Sequence, residues 1–347
     1  MRRRGLVIVV AAMALTVAAC SGDVTLPAPV EAPSTPTTEA PTTTAPPPDT
    51  SGCHDGAKDD PDYNATRSYA PTGALPAPGN MPAGSSMAEI VDRGKLQVGV
   101  SADTLLFGSR DPSTGAIEGF DIDMLKYIAQ ALFGGSFEDA GEHIELKVIT
   151  YAQRLPSLQS GDVDLVAHTM TVNCRRWQQI AFSSEYFSAG QKVLVKVGSP
   201  YGSVEDLVAA GATVCAPEGS TNYDELSQPQ YSGLKLTTRP DVTDCLVAMQ
   251  QGEADAASGD DTVLAGFASQ DPTTKVVGEP FTYEPYGIGV NADRVDLVEF
   301  VNGVLEQVRA DGRWKESYAR WLVPTLTPVG EPIPDPPAPA YGRPERS

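Results

Sequence analysis

Histidine is scarce: only 3 occur in 347 residues, His54, His143 and His168, far apart from one another. No C-x-x-C pair accompanies them, so neither a zinc site nor any other metal site is expected. Basic residues are outnumbered, with 25 Lys+Arg against 45 Asp+Glu, and no Lys/Arg-rich run lies beyond the first few residues. A net charge of -20 repels nucleic acid and anionic lipid headgroups, which removes nucleic acid as a partner. The sequence also lacks G-x-S-x-G, a P-loop, H-E-x-x-H and a dinucleotide glycine fingerprint. No cofactor and no usual catalytic arrangement is therefore expected. The N-terminal apolar run, residues 6–19, is shorter than the ~20 residues an ordinary membrane-spanning helix needs.

What is present begins with that run. Arg2, Arg3 and Arg4 precede it, and Val17-Ala18-Ala19-Cys20 closes it. A positive stretch, a short apolar stretch and small residues make a secretory signal. Small residues leading into a cysteine resemble a bacterial lipobox. On that reading residues 1–19 are removed and Cys20 becomes a lipid-bearing N terminus, on the extracytoplasmic face of the cell membrane. The plainer alternative is a secretory signal followed by a chance cysteine. Loss of residues 1–19 takes three arginines and moves the charge from -20 to -23. With Cys20 lipidated, Cys53, Cys174, Cys215 and Cys245 remain, an even set that suggests two disulfides in an exported protein. Three connectivities are open.

Between Val24 and Thr50, 8 prolines and 8 threonines fill 16 of 27 positions, which cannot bury a core and should form a semi-extended tether. Residues 51–85 stay loop-like, with Cys53 able to pin them to a folded body. The tail from Pro324 to Ser347 has 8 prolines in 24 residues and reads as unfolded. Asn64-Ala65-Thr66 matches a glycosylation sequon by chance.

The middle alternates. Strands are expected at 96–100, 144–149, 163–167, 213–216, 234–238 and 255–258. Helices are expected at 124–132, 155–160, 204–210, 222–227, 242–251, 295–310 and 313–321. Strand–helix alternation predicts parallel sheets, and two runs of it predict two α/β lobes.

Three loops carry candidate chemistry. Gly219-Ser220-Thr221 follows a strand and opens a helix, where free backbone N–H groups and hydroxyls suit a carboxylate. Its alternative reading is a plain N-cap after a turn glycine. Thr169-Met170-Thr171-Val172-Asn173-Cys174-Arg175-Arg176 follows a strand at the carboxyl edge of a sheet, where ligands bind in open α/β folds. An arginine there can clamp a carboxylate through two N–H groups, and the other is a solvated basic turn. Gly259-Asp260-Asp261 follows a strand of the second run: Asp260 is placed in the cleft to receive an ammonium, and Asp261 as the cap of a helix from Thr262. Asp121 and Asp123 read as capping and surface charge.

Taken together, these blocks resemble the polar amino-acid-binding proteins of ABC transporters, which share a type II periplasmic-binding fold, α/β with two lobes and a two-segment hinge. The resemblance spans roughly residues 90–322. It rests on Gly119-Phe120-Asp121-Ile122-Asp123, on the segment 155–164 (LPSLQSGDVD), on Met170-Thr171 with Arg176 and Phe182-Ser183, and on Gly219-Ser220-Thr221. Asp255-Ala256 with Asp260, the segment 285–290 (PYGIGV) and Asp311-Gly312-Arg313-Trp314 complete it. Phe107–Pro112 and the cysteines Cys215 and Cys245 look most like actinobacterial glutamate/aspartate-type lipoproteins.

The resemblance implies roles. Arg176 grips the ligand α-carboxylate, with Thr169, Thr171, Gly219, Ser220 and Thr221 around the anion, and Asp260 takes the α-ammonium. Tyr151 packs on the ligand. Gln153-Arg154 matches acidic-ligand members, which makes Arg154 the candidate for a side-chain carboxylate, with Arg110 a second. The family's usual Thr-x-x-Arg is here Asn173-Cys174-Arg175-Arg176, which leaves Arg175 in contention. The family pattern also pairs Cys215 with Cys245, a 30-residue loop contributing about 3–4 kcal/mol. That leaves Cys53 for Cys174, beside the arginine. The implied organisation is a signal at 1–19, an anchored tether at 20–85, lobe 1 from 86–190 with 284–323, lobe 2 at 191–283, and a disordered tail at 324–347. The implied function is capture of Glu, Asp, Asn or Gln by a monomer that delivers it to an ABC permease or signals to a membrane receptor. The rival reading is an enzyme on the same fold, of the cyclohexadienyl or arogenate dehydratase kind.

Overall fold

The computed structural model describes residues 52–56, 58–328 and 330–344; Cys20 and the Pro/Thr-rich segment lie outside them. Two five-stranded sheets organise it. The first has the order Ile144–Val148, Leu96–Val100, Leu165–Val166, Gly289–Asn291, Ile180–Phe182. The second has the order Lys235–Arg239, Thr213–Pro217, Ala256–Asp260, Gln191–Lys196, Thr274–Val277.

The expectation of purely parallel sheets is corrected. In each sheet one strand runs against its neighbours, Gly289–Asn291 in the first and Gln191–Lys196 in the second. Each is the first sheet strand laid down after the chain crosses between lobes, so it enters from the opposite end. The crossing segments themselves, Phe187–Ala189 and Glu284–Tyr286, pair antiparallel as a two-stranded hinge.

Local signals set the helix ends. Ser203 accepts the Asp206 N–H and Gly211, at φ 63°, closes Val204–Ala210; Gly252, at φ 79°, closes Val242–Gln251. The helix that was expected from Met124 begins at Phe120, after Gly119. A Cβ on Gly119 would sit 2.2 Å from the Phe107 carbonyl oxygen, so only glycine allows this approach.

That earlier start overturns the reading of Asp121 and Asp123 as surface charge. Both are buried in the first helical turn. Asp121 accepts the Thr169 N–H at 2.9 Å and the Tyr186 hydroxyl at 2.6 Å, and burial raises its pKa to about 6. Asp123 accepts from the Ser317 hydroxyl and the Trp321 indole, both at 2.8 Å, binding the last long helix to the body. Around them Phe107, Phe120, Phe187, Tyr286, Trp314 and Tyr318 pack edge-on or stacked. Such ring pairs contribute about 1 kcal/mol each beyond buried area.

The tail is also corrected. Residues 330–344 lie against the first lobe: Ser68 bridges Tyr341, Tyr341 donates to Glu306 at 2.8 Å, and Lys315 pairs with Asp335 at 2.6 Å. Proline forbids regular helix or sheet there but not packing of an extended chain. The described residues of the segment 52–85 form no helix or sheet strand, yet Ala65, Ser68 and Tyr69 are buried. Asn302 holds it, donating to Ser68 Oγ at 2.9 Å and the Tyr69 carbonyl at 2.8 Å. Disulfides join Cys53 to Cys174 and Cys215 to Cys245.

Candidate functional site

Loops that follow parallel strands of the two sheets meet beside the hinge: Arg154 donates to the Gly219 carbonyl, and the Thr171 and Thr221 hydroxyls lie 3.2 Å apart. From the first lobe come Tyr151, Arg154, His168, Thr169, Thr171 and Arg176. The second supplies Gly219, Ser220, Thr221, Asn222, Asp241 and Asp260, and the hinge contributes Glu284 and Tyr286.

Arg154 and Arg176 are among the largest fully buried side chains. Arg154 donates to the carbonyls of Tyr151 (3.0 Å), His168 (3.1 Å) and Gly219 (3.3 Å) and lies 4.4 Å over the Tyr151 ring. Arg176 donates to the carbonyls of Thr171 (2.7 Å) and Gly219 (3.3 Å). Among the described residues neither has a carboxylate within ion-pair distance. Burial, then the charge of Arg154, pushes the Arg176 pKa down to about 9; burial lowers Arg154 as well. Two buried cations without a directly paired carboxylate, converging on one carbonyl, make a site that an incoming carboxylate relieves.

Gly219 makes that convergence sterically feasible. Its φ of 75° is left-handed, and a Cβ would fall 2.9 Å from Ala152 Cα on the opposite lobe. Ser220 is the N-cap of Thr221–Leu226, its Oγ accepting the Tyr223 N–H at 3.1 Å while donating to the Pro217 carbonyl at 2.7 Å. The plain capping reading of Ser220 therefore describes its hydroxyl here.

Asp260 is buried and accepts from Asn222 Nδ2 at 2.8 Å and from the Tyr286 hydroxyl at 2.5 Å. Burial and the charge of Glu284 raise its pKa to about 7. The helix after it starts at Asp261, one residue earlier than expected, and Asp261 accepts the Thr262 N–H at 2.7 Å. Asp260 occupies the N-cap position without capping, its carboxylate turned toward the cleft.

Sequence reasoning missed Glu284. Its Oε2 accepts from Thr171 at 2.6 Å and Thr221 at 2.8 Å, and its Oε1 from Thr282 at 2.6 Å, so one hinge carboxylate bridges both lobes. The available signal was an acid directly before Pro285 in an apolar crossover. His168 was missed too. Its Nε2 lies 3.1 Å from the Ile149 carbonyl, which assigns the proton there and leaves Nδ1 a buried lone pair without a partner. Burial and Arg154 push its pKa down to about 3, so the ring is neutral. Asp241 Oδ1 and Thr243 Oγ1, across the cleft, also lack partners. Thr169 adopts φ 41°, a strained conformation for its type, held by Asp121.

Arg110 is not brought to this cluster. It is exposed on the three-stranded sheet 103–118, donates to the Gly115 carbonyl at 2.7 Å, and lines a cavity of about 450 Å³ with Asp103, Thr243, Leu246, Phe267 and Trp321. Arg175 is half exposed and forms an ion pair with Asp224 of the other lobe.

Residues 96–324 match the family model described as bacterial extracellular solute-binding proteins, family 3. The chain is 38% identical over 239 residues to the ABC transporter glutamine-binding protein GlnH of Bacillus subtilis, covering 68% of this chain and 84% of that protein. It is 30% identical over 261 residues to the glutamate-binding protein GluB of Corynebacterium efficiens, covering 73% and 85%. Among solved structures, a mutant of ArgBP from T. maritima superposes with a TM-score of 0.61 at 32% identity, covering 68% of this chain and 98% of that one.

Proposed function

Because the chain belongs to the bacterial extracellular solute-binding proteins, family 3, we propose that its lobes close on a free polar amino acid, Glu, Asp, Asn or Gln, and present it to a membrane partner. The observation that carries this is the pair of buried guanidiniums of Arg154 and Arg176, neither directly ion-paired, on the lobe opposite the Asp260 carboxylate. An amino acid supplies the matching charges in one small molecule.

The α-carboxylate replaces the Gly219 carbonyl as the partner of Arg176, with Thr171 and Thr221 beside it and the backbone N–H groups at the start of helix Thr221–Leu226 facing it. The α-ammonium meets Asp260, whose proton leaves as the cation arrives. Tyr151 packs on the ligand, and Arg154 takes a side-chain oxygen. Relatives named for glutamine and glutamate binding support this ligand class. Closure about Phe187–Ala189 and Glu284–Tyr286 presents a new joint surface of both lobes to an ABC permease or a receptor. The ligand leaves chemically unchanged, which the relatives' binding roles support over an enzymatic one. Cys20 carries the lipid, the Pro/Thr-rich segment is the tether, and the protein acts as a monomer.

Titration calorimetry with the four amino acids, followed by mass analysis of recovered ligand, tests this. Saturable binding with unaltered ligand is expected; no binding, or an altered product, overturns it. Loss of labelled fatty acid on Cys20→Ser tests the anchor.

A further inference from the structure

Arg176 rides on a helix, Cys174–Trp177, of a single turn, and a helix that short does not support itself. Asn173 caps it, accepting the Arg176 N–H at 2.8 Å. Within residues 96–324, the span that matches the solute-binding family, Arg175 pairs with Asp224 and the Trp177 ring packs on Phe182; further supports come from outside that span. Cys174 is bonded to Cys53, and its backbone N–H donates to both carboxylate oxygens of Asp55, at 2.9 and 3.2 Å. The Trp177 indole donates to the Ala65 carbonyl at 2.7 Å, and the Arg343 guanidinium lies 3.8 Å from the centre of the Trp177 ring. Arg343 is in turn held by the carbonyls of Arg67 at 2.6 Å and Ala65 at 3.2 Å.

The same N-terminal segment reaches the hinge. Tyr63 packs edge-on against Tyr283 at 5.7 Å and Lys58 lies 5.0 Å from that ring's centre. The Tyr283 hydroxyl donates to the Glu185 carboxylate, 2.7 Å from each oxygen.

We propose that two terminal segments, 53–56 with 58–67 and 341–343, complete the positioning shell of Arg176, so that ligand affinity depends also on residues outside the span that matches the solute-binding family. This rests on the reading of Arg176 as the residue that grips the ligand. The bonds at its guanidinium end fix only the tip of a long side chain. The position of its Cα follows the short helix, and a binding site loses strength when such a group drifts by more than about 0.5 Å. Asp55 and Arg343 are positioning residues: they act on the N terminus and the Trp177 end of that helix and touch no ligand.

The test uses the lipid-free mature chain with both disulfides formed, as Asp55→Ala, Asp55→Asn, Arg343→Ala and Arg343→Lys variants. Amide hydrogen exchange without ligand reads the helix directly, and calorimetry with Glu, Asp, Asn and Gln reads affinity. In Asp55→Ala and Arg343→Ala, exchange at residues 174–177 rises and affinity falls about fivefold, the scale of a lost helix cap. Exchange in the strand Leu96–Val100 stays at the wild-type level. Asp55→Asn, which keeps an acceptor oxygen for the Cys174 N–H, restores both readouts, and Arg343→Lys restores them in part. Unchanged exchange at 174–177 in both alanine variants overturns the proposal. So does a rise spread over every strand, which marks general destabilisation. If the wild type binds none of the four amino acids, the function reading falls, and the exchange data still decide the positioning.

Discussion

Tyr286 of the hinge donates its hydroxyl to Asp260 of the second lobe at 2.5 Å, so the carboxylate placed for a ligand ammonium is tied directly to the segment that bends. Asp260 is therefore held by Asn222 on its own lobe and by the crossover.

This arrangement sets opposite pH trends for stability and binding. The Asp260 pKa is raised to about 7 in the fold, above the ordinary carboxylate value it regains on unfolding. Between those values the folded state holds more protons than the unfolded one, so ligand-free stability falls as pH rises from about 4 to about 7. Asp241, raised to about 6, adds in the same direction, as does Asp261, raised chiefly by burial. An ammonium ligand needs the Asp260 carboxylate ionised, so affinity rises over that window and levels above it. Thermal unfolding and calorimetry across pH about 5 to about 8 measure both. A flat affinity profile in the wild type refutes the assignment, and Asp260→Asn flattens it while weakening binding about a hundredfold.

The two buried arginines cost stability when the cleft is empty. A base whose pKa is lowered in the fold is harder to charge there than when unfolded, so below that pKa, near neutral pH, its charge opposes folding. Arg176→Met is expected to raise the ligand-free melting temperature and to abolish measurable amino-acid binding. Arg154→Met raises it too, but cuts affinity for Glu and Asp more than for Asn and Gln. Equal losses across the four ligands would show that Arg154 does not read the side chain.

Legibility followed the range of the interactions. The helices Val204–Ala210, Val295–Ala310 and Arg313–Trp321 match the expected ends because periodicity and, for the first, caps at Ser203 and Gly211 lie within the segment itself. Asp121 and Asp123 looked like exposed acids because nothing nearby in sequence announces Tyr186, Ser317 or Trp321 as their partners. The tail deceived for the same reason: Tyr341 meets Ser68 and Arg343 meets Trp177, contacts that composition does not encode. At the site, Arg176, Gly219 and Asp260 were visible as loop residues after strands, whereas Arg154, the first residue of a short helix, came only from the family resemblance. Glu284 was not, since its role depends on hydroxyls from both lobes converging on it.

The Cys215–Cys245 bond staples the helix Val242–Gln251 to the strand Thr213–Pro217, and both sulfurs' residues are fully buried. Replacing the pair with alanines opens a 30-residue loop and is expected to cost about 3–4 kcal/mol in urea unfolding. The bond lies in a buried cluster with Leu194, Val242 and Met249, and neither cysteine is a partner of Arg176, so amino-acid affinity measured below the unfolding transition should stay within about twofold. A larger affinity loss would mean that the second lobe transmits strain to the Gly219 loop.

Arg175 and Arg176 stand side by side in sequence but meet different surroundings, and this separates their roles quantitatively. Arg175 forms its ion pair with Asp224 across the lobes while about half exposed, at 48%, with Asp224 at 36%. Exposed pairs are worth roughly 0–1 kcal/mol and weaken with salt. Because this pair joins the two lobes, it favours the closed form, and Arg175→Ala is expected to lower affinity by less than about fivefold. The effect should vanish near 1 M salt, where screening acts within about 3 Å. Arg176→Ala should instead remove binding at every ionic strength, since its guanidinium is buried and unscreened. Calorimetry of both variants in low and high salt separates them. A salt-independent, hundredfold loss for Arg175→Ala would move the carboxylate-gripping role to Arg175.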